Sequence, residues 1–291
     1  MLSSQNWKSP KLKNGLILAL GGGGARGLAH IGVICELERR NLKPDLITGS
    51  SMGSVVGCLY AMLGNAGDLE KRSREIIEME SFKKFQFERI VEKQRRYNNG
   101  AEDWNAHFKR LLALARLGQK KALLSMDQMM EILQEIFGDL TFEDLAIPFG
   151  AIATDLISGE DVELYTGKIV DAVAASSAIP GVFEPVAYDG MLLVDGCVTK
   201  NIPIPVKRKN DNSHVIAVDV QPHLHDTGPF PYAISVLSRA DKITQYHLNQ
   251  KYLELADEVI SPEVRHINWA DFQSMDYLID AGKKAVIKHF G

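Results

Sequence analysis

The sequence predicts an α/β fold: a three-layer α/β/α arrangement with a mostly parallel central sheet and a helical cap insert. Three observations lead there. Residues 16–20 (LILAL) form a short, unbroken apolar run closed by four glycines, the pattern of a strand buried on both faces. From Arg26 to Arg40 the apolar residues Leu28, Ile31, Val33, Ile34 and Leu37 recur at helical spacing. A second short run, Asp45 to Thr48, leads into GSSMG and then the apolar helix pattern SVVGCLYAML. Strand, glycine loop, helix, strand, tight turn and helix in that order mark a sheet with helices on its faces.

Beyond residue 68 the pattern changes. Residues 68–138 read as a helical, strand-free insert with Trp104, Phe108, Leu111, Leu112 and Ala115 along one stripe. Fourteen Lys and Arg against seven Asp and Glu over 71–121 give this stretch +7, leaving −11 on the remainder. Strands resume after Pro148 with FGAIATDL, DVELYTG, MLLVDG and HVIAVDV, with a helix near 169–177. The segment 231–290 reads as mainly helical, with EVIS as a candidate edge strand. Residues 1–15 are expected to form a polar tail and 16–291 a single domain, with the motifs confined to 16–220.

Composition narrows the class. The chain has 291 residues, 45% of them hydrophobic and 24% charged, which is ordinary for a globular protein. A net charge of −4 speaks against a nucleic-acid partner. Cys35, Cys58 and Cys197 are odd in number and widely spaced, so neither a disulfide framework nor a zinc site is expected. The N-terminus lacks the apolar core of a signal peptide, and no apolar run is long enough to span a bilayer. A cytoplasmic location is expected, with contact at the inner membrane surface as its extension.

Gly22-Gly23-Gly24-Ala25-Arg26-Gly27 follows a strand and opens a helix, a place where backbone N–H groups stabilise negative charge. It could cradle a dinucleotide, since Gly22, Gly24 and Gly27 satisfy G-x-G-x-x-G, form an oxyanion hole, or be a plain tight turn. A dinucleotide site wants an acidic residue at the end of the next strand. Thr48-Gly49-Ser50-Ser51 stands there instead, which weakens the nucleotide reading.

Gly49-Ser50-Ser51-Met52-Gly53 matches G-x-S-x-G between strand and helix. The small flanking residues let a sharp turn project the central hydroxyl, here that of Ser51; a glycine-serine packing turn is the bland alternative. A serine nucleophile needs a base. None of the eight histidines is marked out: His30 lies on the first helix, and His214, His223 and His225 read as surface or packing residues. Asp195 ends the strand MLLV before Gly196, at a strand end of the kind where open α/β sheets place their sites. Asp155 and Asp219 also end strand-like runs, and residue chemistry alone leaves the three open.

Four blocks, GGGGARGLAHIGV, GSSMGS, AASSAIPGVFEPV and LLVDG, resemble in order and spacing the patatin-like phospholipases, in their small bacterial branch. The resemblance covers about residues 16–220. It implies a Ser51–Asp195 dyad without histidine, acting on a lipid or other acyl ester. It assigns the oxyanion hole to Gly22, Gly23, Gly24, Ala25 and Arg26, with Gly27, Gly49, Gly53 and Gly196 as motif positions. No cofactor or metal is implied. The family's Asp-Gly-Gly or Asp-Gly-Ala is here Asp195-Gly196-Cys197, a small residue again.

Two other classes stand beside the hydrolase: a nucleotide-binding module using the glycine loop, and an idle scaffold of the same fold. Oligomerisation is compatible with either. The basic insert reads as a helical layer with solvated charges, or as a surface for anionic lipid. If it is a lipid surface, charge reversal at Arg116, Lys120 and Lys121 weakens sedimentation with anionic liposomes; unchanged binding removes that role.

Overall fold

The computed structural model describes residues 15–84, 122, 124–205, 212–221, 224, 230 and 233–291. The stripe Trp104 to Ala115 and the cations Arg116, Lys120 and Lys121 fall outside these residues, as do His223 and His225.

Among the described residues, eight strands form one sheet: β1 (Leu16–Leu20), β2 (Leu46–Ser50), β3 (Phe149–Asp155), β4 (Asp161–Leu164), β5 (Val186–Tyr188), β6 (Met191–Asp195), β7 (His214–Val218) and β8 (Glu258–Ile260). The pairing path runs β5-β6-β3-β2-β1-β7-β8, with β4 also on β3. From β3 to β8 the neighbours are parallel, whereas β4, β5 and β6 pair antiparallel. EVIS is thus the edge strand that its apolar character suggested.

The faces of β1 show why its run is continuously apolar. Leu18 and Leu20 join the larger core cluster, while Ile17 and Ala19 join a second cluster on the other face. The larger cluster packs beneath helices α1 (Ala29–Arg39), α2 (Met52–Leu63), α3 (Ala66–Glu78), α5 (Met126–Phe137), α6 (Ile169–Ser176) and α8 (Met275–Phe290). A short α4 (Glu80–Lys84) follows α3. The opposite face is covered by Ile202 and Ile204 and by the end of α7 (Ala233–Leu253). The fold is a three-layer α/β/α sandwich. Both described ends of the 68–138 stretch pack on the core, through Leu69 and Ile76 in α3 and Ile132, Leu133, Ile136 and Phe137 in α5. Among the described residues, no helix is long and apolar enough to cross a membrane.

The edges of β3 set the site. Residues Ala151 to Thr154 pair with β4 along one edge. That span overlaps the β3 residues paired to β2 and those paired to β6, so both of those strands must occupy the other edge. They arrive from opposite directions and meet end to end: Ser50 lies opposite Ile152, and Asp195 lies opposite Ala153, one rung further. Asp195 was expected at a carboxyl-terminal strand end of a parallel sheet. It is at the right height for a different reason, because β6 runs antiparallel and stops where β2 stops.

Helices α1 and α8 touch backbone to backbone. A Cβ at Gly32 would strike the Ile279 carbonyl, and one at Gly282 would strike that of Ala29. Overpacking of this kind costs about 1–3 kcal/mol. Urea unfolding of Gly32→Ala and Gly282→Ala is therefore expected to show losses of that order. Gly67→Ala is the control, because its Cβ meets only Asn65 Oδ1 at 3.6 Å; it gains about 0.5–1 kcal/mol from lost chain entropy. Equal effects at all three sites would contradict the packing account.

Candidate active site

Ser51 sits at the corner between β2 and α2 with φ 53° and ψ −126°, a region that side chains avoid at a cost of order 1–3 kcal/mol. The corner holds because close-packed backbone surrounds it. A Cβ on Gly53 would strike the Leu20 carbonyl, and one on Gly22 would come within 3.0 Å of Ser51 Cβ. The Ser51 N–H donates to Ser176 O (3.0 Å) and Ser176 Oγ (3.1 Å), and Ser54 Oγ donates to Ser51 O at 2.6 Å. Ser51 is 6% exposed.

Asp195 is fully buried. Its N–H donates to Ala178 O at 3.0 Å, so the last residue of α6 and the turn after it hold the backbones of Ser51 and Asp195. That turn lies in the block AASSAIPGVFEPV, which sequence reading recognised without giving its residues a task. Asp195 Oδ1 accepts from Cys197 N–H at 2.8 Å, whereas Oδ2 is buried without a formed hydrogen bond. Burial pushes the carboxyl up to about 6, against the opposing pull of the Ser51 hydroxyl and of the Cys197 N–H and thiol. Cys197 sits in the single tight turn Gly196–Val198 that follows Asp195.

The glycine loop is pinned through three successive carbonyls. Gly21 O faces His30 Nε2 at 2.7 Å, Gly22 O accepts from Gln221 Nε2 at 2.8 Å, and Gly23 O accepts from Arg26 Nε at 3.2 Å. The Gly22 and Ala25 N–H groups are spent on Asn201 O (3.3 Å) and Trp269 O (2.6 Å). Among the described residues, no backbone acceptor takes the N–H of Gly23 or Gly24. Gly24 has φ +58° and stands against the Trp269 carbonyl, which leaves no room for a side chain.

The other candidates have separate tasks. His30 is fully buried, and its pKa falls to about 4 through burial, against the pull of its Gly21 hydrogen bond. It is a neutral brace, with Nε2 the donor to Gly21 O. Asp155 closes the β3–β4 turn by accepting from Ile157 N, Ser158 N, Ser158 Oγ and Leu192 N. Burial opposes its charge, yet these bonds outweigh burial and hold its pKa below the ordinary value. Asp219 attracts the Arg26 guanidinium and accepts from Gln221 N–H at 3.0 Å. His214 lies at the start of β7 beside Asp257 and Glu258, at the far end of the sheet. Buried polar atoms without a partner among the described residues include Ser50 Oγ, Asp195 Oδ2 and Asn201 Nδ2. Such orphans are rare in folded proteins and mark places reserved for chemistry or for water.

The family model described as Patatin-like phospholipase matches residues 18–206. An uncharacterized NTE family protein of Mycobacterium tuberculosis is 36% identical over 187 residues, covering 64% of this chain and 44% of that one. A second from the same organism is 27% identical and covers 93% of this chain and 45% of its own length. Neuropathy target esterase sws of Drosophila melanogaster is 28% identical over 71% of this chain and 13% of its own. The chain spans less than half the length of the curated relatives it matches.

The raised Asp195 pKa fixes a stability profile. Its proton is held more tightly in the folded state, so the stabilisation is complete below about pH 4 and lost as pH rises through about 6. At pH 8 the buried charge costs on the order of 3 kcal/mol. Asp195→Asn is expected to raise the melting temperature at pH 8 and to leave it nearly unchanged at pH 4. An equal shift at both pH values would show that the carboxyl is not held dry.

Proposed function

The chain belongs to the patatin-like phospholipase family, and on that footing we propose that it is a lipid acyl hydrolase with Ser51 as nucleophile and Asp195 as base. The observation that carries this reading is the pairing of a strained, hydroxyl-bearing corner with a buried carboxyl one rung away on the same edge of β3. The esterase named among the relatives supports ester chemistry.

Ser51 Oγ attacks the ester carbonyl carbon while its proton passes to Asp195 Oδ2, the oxygen left without a formed bond. Burial makes the carboxylate a stronger base than a solvated one, because protonation relieves an unsolvated charge. The carbonyl oxygen becomes an oxyanion held by the Gly23 and Gly24 N–H groups, which are preorganised and free of backbone acceptors. Collapse expels the alcohol, which takes the proton from Asp195, and leaves an acyl group on Ser51. A water molecule then gives a proton to Asp195 and attacks the acyl carbon; collapse breaks the bond to Ser51 Oγ, which takes the proton back from Asp195, and the fatty acid is released. Within the oxyanion hole, Gly22 and Ala25 shape the loop, since their N–H groups are engaged elsewhere, and Arg26 braces it through Nε on Gly23 O.

Hydrolysis of p-nitrophenyl butyrate tests the dyad. Members of a catalytic pair act as a unit, so Ser51→Ala and Asp195→Asn each lose about three orders of magnitude or more, with the fold retained by circular dichroism. Asp195 must be ionised to accept a proton, so kcat/KM climbs with pH through about 6 and then levels. An Asp195→Asn variant with near wild-type turnover would overturn the assignment.

A further inference from the structure

Each non-proline peptide unit is planar and trans, so the N–H of one residue points opposite to the C=O of the residue before it. Whatever holds the Gly22 carbonyl therefore aims the Gly23 N–H. That holder is Gln221, just past β7 and 199 residues along the chain from Gly22. Its Nε2 donates to Gly22 O at 2.8 Å and lies 3.4 Å from Asn201 Oδ1. Two acceptors at one end fix the amide orientation, because a carbonyl oxygen could bond neither. The Gln221 backbone is anchored in turn, with its N–H on Asp219 Oδ1 at 3.0 Å. Asn201, which is 2% exposed, braces the same glycine from the other side by accepting Gly22 N–H at 3.3 Å. A Cβ on Gly22 would fall 2.7 Å from Asn201 Oδ1 and 3.0 Å from Ser51 Cβ, so the clamped glycine lies against both Asn201 and the proposed nucleophile.

We infer that Gln221 is a positioning residue of the oxyanion hole: oriented by Asn201 Oδ1, it clamps the Gly22 carbonyl so that the Gly23 N–H faces the transition-state oxygen. The inference rests on the proposed Ser51 hydrolase. It accounts for a polar side chain at the end of a buried strand that none of the four sequence blocks contains. It also separates Gln221 from the other two carbonyl holders. His30 holds Gly21 O, ahead of a peptide N–H already spent on Asn201, and Arg26 belongs to the loop itself.

The test compares Gln221→Met, of similar bulk with no donor, and Gln221→Glu, of the same shape but placing oxygens against two acceptors. Losing one oxyanion donor costs about a hundredfold or more in kcat. A misaimed donor is expected to cost roughly tenfold for the Met variant and roughly a hundredfold for the Glu variant. KM for p-nitrophenyl butyrate should stay within about twofold, since only the transition state carries the oxyanion. An alkyl trifluoromethyl ketone, which forms a hemiketal oxyanion on Ser51, should weaken in step with kcat/KM in both variants. A purely structural role would lower the melting temperature without that proportionality. If Gln221→Glu fails to fold, the Met variant alone carries the comparison. Turnover and ketone affinity of Gln221→Met within twofold of wild type, or losses confined to KM, overturn the inference and leave the hydrolase intact. Wild-type protein that neither hydrolyses esters nor binds the ketone overturns the hydrolase reading, and the clamp falls with it.

Discussion

The architecture turns on one edge of β3 that two strands share. With β4 occupying the opposite edge, β2 and β6 can pair with β3 only by dividing its length, and they meet head to head between Ile152 and Ala153. Ser51, just past β2, and Asp195, the last residue of β6, are then neighbours without any long side chain reaching across. The end of α6 and the turn following it close over the junction and take the Ser51 and Asp195 N–H groups on Ser176 and Ala178. A junction closed in this way excludes water, and exclusion of water is what lifts the Asp195 carboxyl. Removing the β3 edge would separate the pair and wet the carboxyl together.

The same geometry explains how a carboxylate can stand where histidine is more usual. A solvated aspartate is a weak base for a serine hydroxyl. Here burial raises its proton affinity, while in the proposed mechanism the loop N–H groups receive the charge that appears on the substrate oxygen. His30, buried beside the loop, is kept neutral and serves as a brace, its pKa driven down to about 4. Strain at Ser51 and an uncompensated buried carboxyl are both unfavourable for stability. They persist because the close approaches at Gly22, Gly53 and Gly196 leave the backbone no other path.

Much of this was legible in the sequence wherever a residue type has a local reason to be present. The apolar runs of β1 and β7, the glycine loop and the G-x-S-x-G corner each carry such a signature, and they lie where they were expected. Residue chemistry alone could shortlist Asp195 but not choose it over Asp155 and Asp219; the family resemblance chose it, and the pairing of β6 with β3 supports that choice. The partners of Asp155 are backbone N–H groups and a serine hydroxyl close by, which leave no trace in spacing. Gln221, Ser176 and Ala178 were invisible for the same reason: they act on backbone groups, and a backbone group has no residue type. The three-residue β5 is too short for a periodic signal.

The most direct test of the Ser51–Asp195 account is the covalent state of the protein during turnover. Wild-type protein mixed with p-nitrophenyl butyrate, quenched in acid and digested, should carry the added butyryl mass on the peptide containing Ser51. Turnover that proceeds with the acyl group on another residue, or with none on the protein at any quench time, would contradict the account.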